Sequence, residues 1–157
     1  MFVCFNRNNK LEPTVFGMWM QILNAVPRSV LWLFNSHATS VDNLLLEAEE
    51  RGVGAERLIF AEHMKKPEHI ARHRQADLFL DTLYYNAHTT ATDALSVGLP
   101  VLTLPGKTFA SRVAASLVLA ADAPELIATC IDDYVAKAIH FAQHPGELRE
   151  VDRFRHV

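Results

Sequence analysis

Short apolar runs alternate with longer amphipathic stretches along the chain, and this alternation restricts the fold more than any other feature. Residues 30–34 form a continuous apolar run, as expected of a strand that is covered on both faces of a parallel sheet. Similar runs occur at residues 2–5, 58–60, 78–80 and 101–104. The stretches between the runs have helical spacing of their apolar residues. The pattern therefore predicts an α/β fold built on a Rossmann-like, doubly wound parallel sheet.

Capping residues and prolines predict where the helices begin and end. Ser40 is a suitable N-cap for a helix that ends near Arg51, and Gly52 fits the capping position after it. Pro67 suits the first turn of another helix. Further helices are predicted at residues 13–26, 89–97, 109–120 and 133–143.

The composition excludes several classes of protein. The 157 residues, 50% hydrophobic and 21% charged, are enough for one globular domain with its own core. A net charge of −3 lacks the basic excess of nucleic-acid binders. No apolar run reaches the roughly 18 residues of a membrane span, and Cys4 and Cys130 are isolated thiols. We therefore expect a cytoplasmic protein that binds neither nucleic acid nor membrane.

Polar side chains concentrate in the loops that follow the predicted strands. In open parallel sheets, ligands bind beyond the carboxyl ends of the strands. Four loops occupy such positions, at residues 6–10, 63–69, 81–90 and 105–112. These loops are the candidate binding site.

The strongest candidate is the start of the helix after the fourth strand. His88, Thr89 and Thr90 lie where free amide N–H groups and the helix dipole favour an anion, and the two hydroxyls add donors. Asp93 follows one turn later, within reach of a sugar hydroxyl pair. A helix cap formed by Thr89 or Thr90 explains the pattern equally well. No glycine-rich dinucleotide or P-loop motif is present.

Several cations lie in the other candidate loops. Lys10 follows the first strand and is placed to face a diphosphate. Lys66, His69 and Arg72 share one helix face at spacings of three, as a base-binding cluster requires. For each of these residues, and for Arg112, a solvated surface charge is the simpler alternative. The eight histidines are scattered without a recognised zinc-ligand spacing, so no metal is expected.

Five segments together carry a family resemblance. They are FNRNNK at 5–10, VPRSVLWL at 26–33, ADLFLDT at 76–82, NAHTT at 86–90 and PGKTFASRVAAS at 105–116. In this order they resemble the C-terminal catalytic lobe of the O-linked N-acetylglucosamine (O-GlcNAc) transferase and SPINDLY family, over residues 2–143. The resemblance implies a GT-B fold, in which two Rossmann-like lobes face each other across a cleft.

The resemblance also implies a reaction and a set of roles. The family transfers GlcNAc from UDP-GlcNAc to Ser and Thr hydroxyls of proteins, with inversion and without a metal or other cofactor. By position, Lys10 would contact the diphosphate and stabilise the leaving UDP. The start of the helix at His88, Thr89 and Thr90 would hold the phosphates. The nucleoside contacts implied are Asp93 on the ribose hydroxyls, His69 against uracil, and Lys66 and Arg72 beside them.

The chain departs from the family pattern in three respects. Arg7 stands where the animal enzymes carry a glutamine beside the donor phosphates, and it remains a candidate UDP-binding residue. Tyr85 replaces a smaller cysteine near the sugar. The family's N-terminal catalytic lobe and tetratricopeptide repeats are missing from residues 1–157. Because that lobe supplies the opposite wall of the cleft and acceptor contacts, we expect a donor-binding fragment that is inactive alone.

Other functions remain open from the sequence. A SPINDLY-type lobe that uses GDP-fucose, a nucleotide-sugar-binding module without turnover and a non-functional truncated reading frame are the alternatives. The expected partners are a UDP-sugar, a protein acceptor bound through the missing regions, and the N-terminal lobe if it is encoded separately. An open cleft wall exposes apolar surface, so we also expect a homodimer through that face.

Overall fold

A single parallel sheet organises the chain. The computed structural model describes residues 1–151. The sheet has five strands in the order β3-β2-β1-β4-β5, with every neighbouring pair parallel. The strands are β1 (Phe2–Cys4), β2 (Leu31–Phe34), β3 (Leu58–Ala61), β4 (Leu78–Leu80) and β5 (Val101–Leu102). This is the predicted Rossmann-like, doubly wound α/β fold.

Helices connect the strands and cover the sheet. They are α1 (Pro13–Ala25), α2 (Ala38–Glu50), α3 (Lys66–Arg72), α4 (Thr89–Ser96), α5 (Val113–Ala120), α6 (Ile131–Gln143) and α7 (Pro145–Val151). Right-handed crossovers place α1 and α2 on one face, and α3 and α4 on the other, because the chain reverses its direction across the sheet after β3. As a result, the connections leave the neighbouring strands β1 and β4 in opposite directions. The carboxyl edge of these two strands is therefore the expected ligand position.

The core joins the sheet to α1 and α6. All three residues of β1 are buried, as a central strand covered on both faces requires. Trp19 of α1 and Tyr134 of α6 are fully buried, and the Trp19 indole N–H donates to the Tyr134 hydroxyl at 3.3 Å. The Tyr134 hydroxyl in turn donates to the carbonyl oxygen of Asp81 at 2.9 Å. The core is thus hydrogen-bonded to the residue that follows β4.

Most predicted elements are confirmed, and some boundaries are wrong. Gly52 and Gly98 both end helices with positive φ, at 78° and 79°. Ser40 is not an N-cap: α2 begins at Ala38 after His37. Strand β5 ends at Leu102, because Thr103 leaves the sheet and bridges to Ile127.

The C-terminal half contains three further differences. The helix predicted at 109–120 is divided into a 3-10 turn, Phe109–Ser111, and α5. Helix α6 begins at Ile131 instead of residue 133, because the Cys130 sulfur accepts a hydrogen bond from the Asp133 amide. Helix α7 was not predicted. Within the described residues, no helix is long and apolar enough to cross a membrane.

Tyr134→Phe should destabilise the fold by about 1–3 kcal/mol, because the Trp19 indole and the Asp81 carbonyl both lose a buried partner. Urea unfolding measures the change in the free energy of unfolding. Tyr84→Phe is the matched control, since Tyr84 is 72% exposed, and its change should stay within about 0.5 kcal/mol. Equal stability of the two variants contradicts the proposed role of the Tyr134 hydroxyl.

Candidate active site

A cleft of about 660 Å³ opens at the carboxyl edge of the sheet. Its walls are the loop after β1, the segment that leads from β3 into α3, and the loop between β4 and α4. Eight of the residues that the sequence singles out line it: Arg7, Lys10, Lys66, His69, Arg72, His88, Thr89 and Thr90. Asp93 lies behind this lining, where its carboxylate forms an ion pair with Lys66. The volume lies within the usual range for a small-molecule site.

Lys10 is held inside the cleft by two contacts. Its ammonium donates to the carbonyl oxygen of Asn86 at 3.1 Å and lies 4.1 Å from the centre of the Tyr85 ring. Partial burial lowers the pKa of Lys10, and the nearby Asp81 carboxylate opposes that shift. Arg7, by contrast, is exposed at the rim. The two cations therefore approach a ligand from different depths.

The start of α4 is not capped by a side chain. His88 occupies the N-cap position without a side-chain cap hydrogen bond, and neither threonine supplies one. Thr90 instead donates its hydroxyl to the Asn6 side-chain oxygen at 2.5 Å. The first amide N–H groups of α4 are consequently left for a ligand or water, as at anion-binding helix starts. Thr89, which is exposed, retains its hydroxyl for such a ligand.

His88 belongs to a small aromatic cluster beside this helix start. Its ring stacks on Tyr85, with centroids 5.0 Å apart and planes 23° apart. Its Nε2 donates to the carbonyl oxygen of Ala110 at 3.3 Å, which ties it to the loop after β5. Arg112 of that loop does not reach the cleft, and it donates to the Gly106 carbonyl at 2.9 Å.

The residues of α3 form a second cluster on the opposite side of the cleft. Arg72 is buried over the Phe5 ring at 4.3 Å, and it donates to the Glu62 carbonyl at 2.7 Å and to His69 Nδ1 at 2.5 Å. Burial, reinforced by the Arg72 charge, lowers the pKa of His69 to about 4. His69 is therefore a neutral flat ring at physiological pH. Lys66 extends from the same helix to Asp93.

Two buried polar residues that the sequence did not single out, Asn6 and Asp81, hold these loops together. Asn6 donates to the Thr82 hydroxyl at 2.9 Å and accepts from Thr90. Asp81 accepts from the Ala87 amide at 2.7 Å, the Thr82 amide at 2.9 Å and the Thr103 hydroxyl at 2.7 Å. Their position directly after buried strands was the available signal, since a polar residue there is buried and needs partners.

Cations, an uncapped helix start and a neutral aromatic surface at the carboxyl edge of a parallel sheet are features of anion- and nucleotide-binding sites in α/β proteins. Comparison with known protein families identifies the family to which the chain belongs. The chain belongs to glycosyl transferase family 41, whose sequence model matches residues 1–155.

Curated relatives have similar sequences over nearly the whole chain. It is 37% identical to the UDP-N-acetylglucosamine--peptide N-acetylglucosaminyltransferase of Caenorhabditis elegans, over 95% of this chain and 13% of that protein. The probable enzyme SEC of Arabidopsis thaliana is also 37% identical, over 98% of this chain and 16% of its own length. The probable enzyme SPINDLY of Hordeum vulgare is 31% identical, over 96% and 16%. The chain thus spans less than a fifth of these relatives.

A solved structure confirms the architecture. The K341M mutant of the Thermobaculum terrenum O-GlcNAc transferase superposes with a TM-score of 0.93 at 33% identity. The match covers 98% of this chain and 30% of that chain. The fold is therefore that of part of a GT-B glycosyltransferase.

The carboxyl of Asp81 should make stability depend on pH. Burial raises its pKa from 3.8 to about 7, although the hydrogen bonds from Ala87, Thr103 and Thr82 oppose the shift. Between these values the folded chain keeps a proton that the unfolded chain has released. The resulting stabilisation is complete below the unfolded pKa and is lost as the pH rises through the folded pKa.

Urea unfolding of the wild type and of Asp81→Asn, at about pH 4.5 and about pH 7.5, measures this effect. The stability advantage of the wild type over the variant should shrink at the higher pH. His69 titrates with the opposite slope, because its pKa is lowered, but it is present in both proteins and cancels in the difference. An advantage that is the same at both pH values contradicts the prediction.

Proposed function

We propose that this chain is the nucleotide-sugar-binding lobe of a protein O-GlcNAc transferase, and that it binds the UDP part of UDP-GlcNAc. The supporting observation is that Lys10 and the uncapped start of α4 face the same cleft. The C. elegans relative carries the name of a UDP-GlcNAc–peptide transferase. In the proposed reaction of the complete enzyme, a Ser or Thr hydroxyl of a protein displaces UDP from the sugar with inversion.

The diphosphate is proposed to lie against the start of α4. Negative charge accumulates on its oxygens as the bond to the sugar breaks. In this proposal the amide N–H groups of the first turn, the Thr89 hydroxyl and the Lys10 ammonium stabilise that charge, which is supported by their position at one cleft. Lys10 is the proposed catalytic residue because its interaction strengthens as UDP leaves. Arg7 adds a positive charge at the rim, and the proposed chemistry needs no metal ion.

The nucleoside is proposed to lie between α3 and α4. The neutral ring of His69 suits contact with a base, while Arg72 fixes that ring from below through its hydrogen bond to Nδ1. The Asp93 carboxylate suits a ribose diol, as two hydroxyls can donate to its two oxygens. Lys66, the present partner of Asp93, is 55% exposed and can remain beside the bound ribose.

The proposal divides the reaction between this chain and other parts of the enzyme. The chain is the C-terminal lobe, residues 1–157, and the acceptor protein is bound by an N-terminal lobe that faces the cleft. Alone, the chain would hold the donor without turnover, in the cytoplasm. A homodimer through the open face stays a prediction. A SPINDLY-type lobe that uses GDP-fucose is the second candidate, favoured by the 31% identity to SPINDLY.

Calorimetric titration should show tighter binding of UDP and UDP-GlcNAc than of GDP-fucose. Lys10→Ala should weaken UDP binding about 10- to 100-fold, as expected for the loss of a charge-assisted hydrogen bond of about 1.5–3 kcal/mol. Asp93→Ala should also weaken it, because the ribose contact is lost. Lys107→Ala is the matched control, since Lys107 is exposed and outside the cleft.

The outcomes of this titration separate the two candidates. Preference for GDP-fucose supports the SPINDLY-type lobe. Unchanged UDP affinity in both Lys10→Ala and Asp93→Ala rules out the proposed site.

Tyr85 should position Lys10 through its ring and not through its hydroxyl. Tyr85→Leu removes the aromatic face that lies 4.1 Å from the ammonium, a contact of about 0.5–1 kcal/mol at a partly exposed site. UDP affinity should therefore fall about two- to fivefold. Tyr85→Phe keeps the ring and should bind UDP like the wild type in the same titration. An equal loss in both variants assigns the effect to the hydroxyl instead.

A further inference from the structure

Two histidines and a glutamate converge where α6 meets α7, outside the cleft. His140 lies in the last turn of α6, His144 is its C-cap, and Glu147 lies in the first turn of α7. Each offers one ligand atom, and these atoms lie within 4.8 Å of one another. Within residues 1–151 this is the one group of three or more His, Cys, Asp and Glu side chains with such spacing. The geometry points to a site for a divalent transition-metal ion of the Zn²⁺ class, contrary to the expectation from the sequence that no metal is bound.

The hydrogen bonds favour coordination by His144. Its Nδ1 donates to the carbonyl oxygen of His140 at 2.9 Å, so Nε2 keeps the lone pair that binds a metal. In known metal sites, a histidine that binds the metal with one ring nitrogen commonly donates the N–H of the other to a backbone carbonyl, and this bond orients the ring. The His144 ring is also stacked on His140 at a centroid distance of 4.3 Å and an angle of 24°.

An ordinary surface ion pair explains only part of this arrangement. His140 Nε2 donates to the Glu147 carboxylate at 2.6 Å, and that pair needs no third group. It does not account for a second imidazole held parallel beside the first with a fixed tautomer. A cation between the three side chains uses all of them, and it takes the place of the hydrogen that His140 shares with Glu147.

The ligand chemistry selects the class of metal. Two imidazole nitrogens and one carboxylate suit Zn²⁺, Ni²⁺ or Cu²⁺, whereas Mg²⁺ and Ca²⁺ require mainly oxygen ligands. Zn–N and Zn–O bonds of about 2.0–2.1 Å place ligand atoms roughly 3.4 Å apart in a tetrahedral site. The three side chains are exposed, so rotation about their side-chain bonds can close the difference. Water completes the coordination.

The charges around the group are compatible with a cation. His140 and Glu147 line a surface hollow whose other charged residues are Glu125, Asp133, Glu150 and Lys137. Lys137 donates its ammonium to the Glu125 carbonyl at 2.9 Å. None of the three ligands lines the nucleotide cleft, so this site is separate from the proposed donor site. A bound metal would join the end of α6 to the beginning of α7.

The test is titration of the untagged full chain with ZnCl₂ by calorimetry in a buffer that does not bind metals. We expect one ion per chain and a rise in the melting temperature with added Zn²⁺, because a ligand that binds the folded state stabilises it. His140→Ala, His144→Ala and Glu147→Gln should each weaken binding by at least about tenfold. His37→Ala is the control, since His37 is exposed and lies far along the chain at the start of α2.

Two outcomes overturn the inference. One is the absence of stoichiometric Zn²⁺ binding to the wild type. The other is equal affinity in the wild type and all three ligand variants, which assigns the ion to other histidines. Circular dichroism of each apo variant shows whether it is folded, so a loss of binding through unfolding is recognised. UDP titration of the same variants should be unaffected, which keeps this test independent of the proposed function.

Discussion

The geometry of the cleft depends on one buried carboxylate, that of Asp81 at the end of β4. Its two oxygens accept from the amides of Thr82 and Ala87 and from the Thr103 hydroxyl. These bonds close the loop between β4 and α4 and attach it to the segment after β5. The backbone carbonyl of the same residue accepts from Tyr134 in the core. The start of α4 and the Asn86 carbonyl that holds Lys10 are therefore attached, through Asp81, to the buried core around Tyr134 and Trp19.

Several cationic side chains lie in the cleft, and each has different partners. Arg7 is solvated at the rim, and Lys66 is neutralised by Asp93. Arg72 is buried beside His69. Because His69 is neutral, it accepts a hydrogen bond from the guanidinium and does not repel its charge. Lys10 has a carbonyl and an aromatic face as partners. Lys10 and Arg72 both lack an acidic partner among the contacts described, and Lys10 is the less buried of the two. A dianionic ligand that enters the cleft would therefore meet Lys10 first.

The fold was largely predictable from the sequence because its signals are local. Strands buried on both faces leave continuous apolar runs, and Gly52 and Gly98 mark helix ends that need positive φ. The N-cap of α2 was predicted wrongly because Ser40 is a preferred capping residue, whereas the helix begins at Ala38 after His37, which forms no side-chain cap hydrogen bond. Helix α7 was missed because Pro145 and Gly146 indicate a stop, whereas proline at N1 also begins a helix.

The candidate loops were predictable, because ligand sites in parallel sheets follow the strand ends. The pairing of side chains across them was not. The hydroxyl of Thr90 bonds to Asn6, 84 residues earlier, and local sequence contains no sign of such a contact. The inward position of Arg72 likewise depends on Phe5, which follows β1, and on Trp32 of β2. What a helix periodicity shows is which side chains share a face, not which of them are buried by a neighbouring element.

The bond between Asn6 and Thr90 has a consequence for how the family diversifies. Asn6 bonds to Thr82 with its nitrogen and to Thr90 with its oxygen, so its two ends are both committed. A substitution at position 6 removes the acceptor of the partly buried Thr90 hydroxyl and one of the two partners of the Thr82 hydroxyl, which also donates to the Tyr85 carbonyl. A substitution at position 90 leaves the Asn6 amide oxygen without its donor. Positions 6, 82 and 90 therefore constrain one another during divergence. They should change together or not at all.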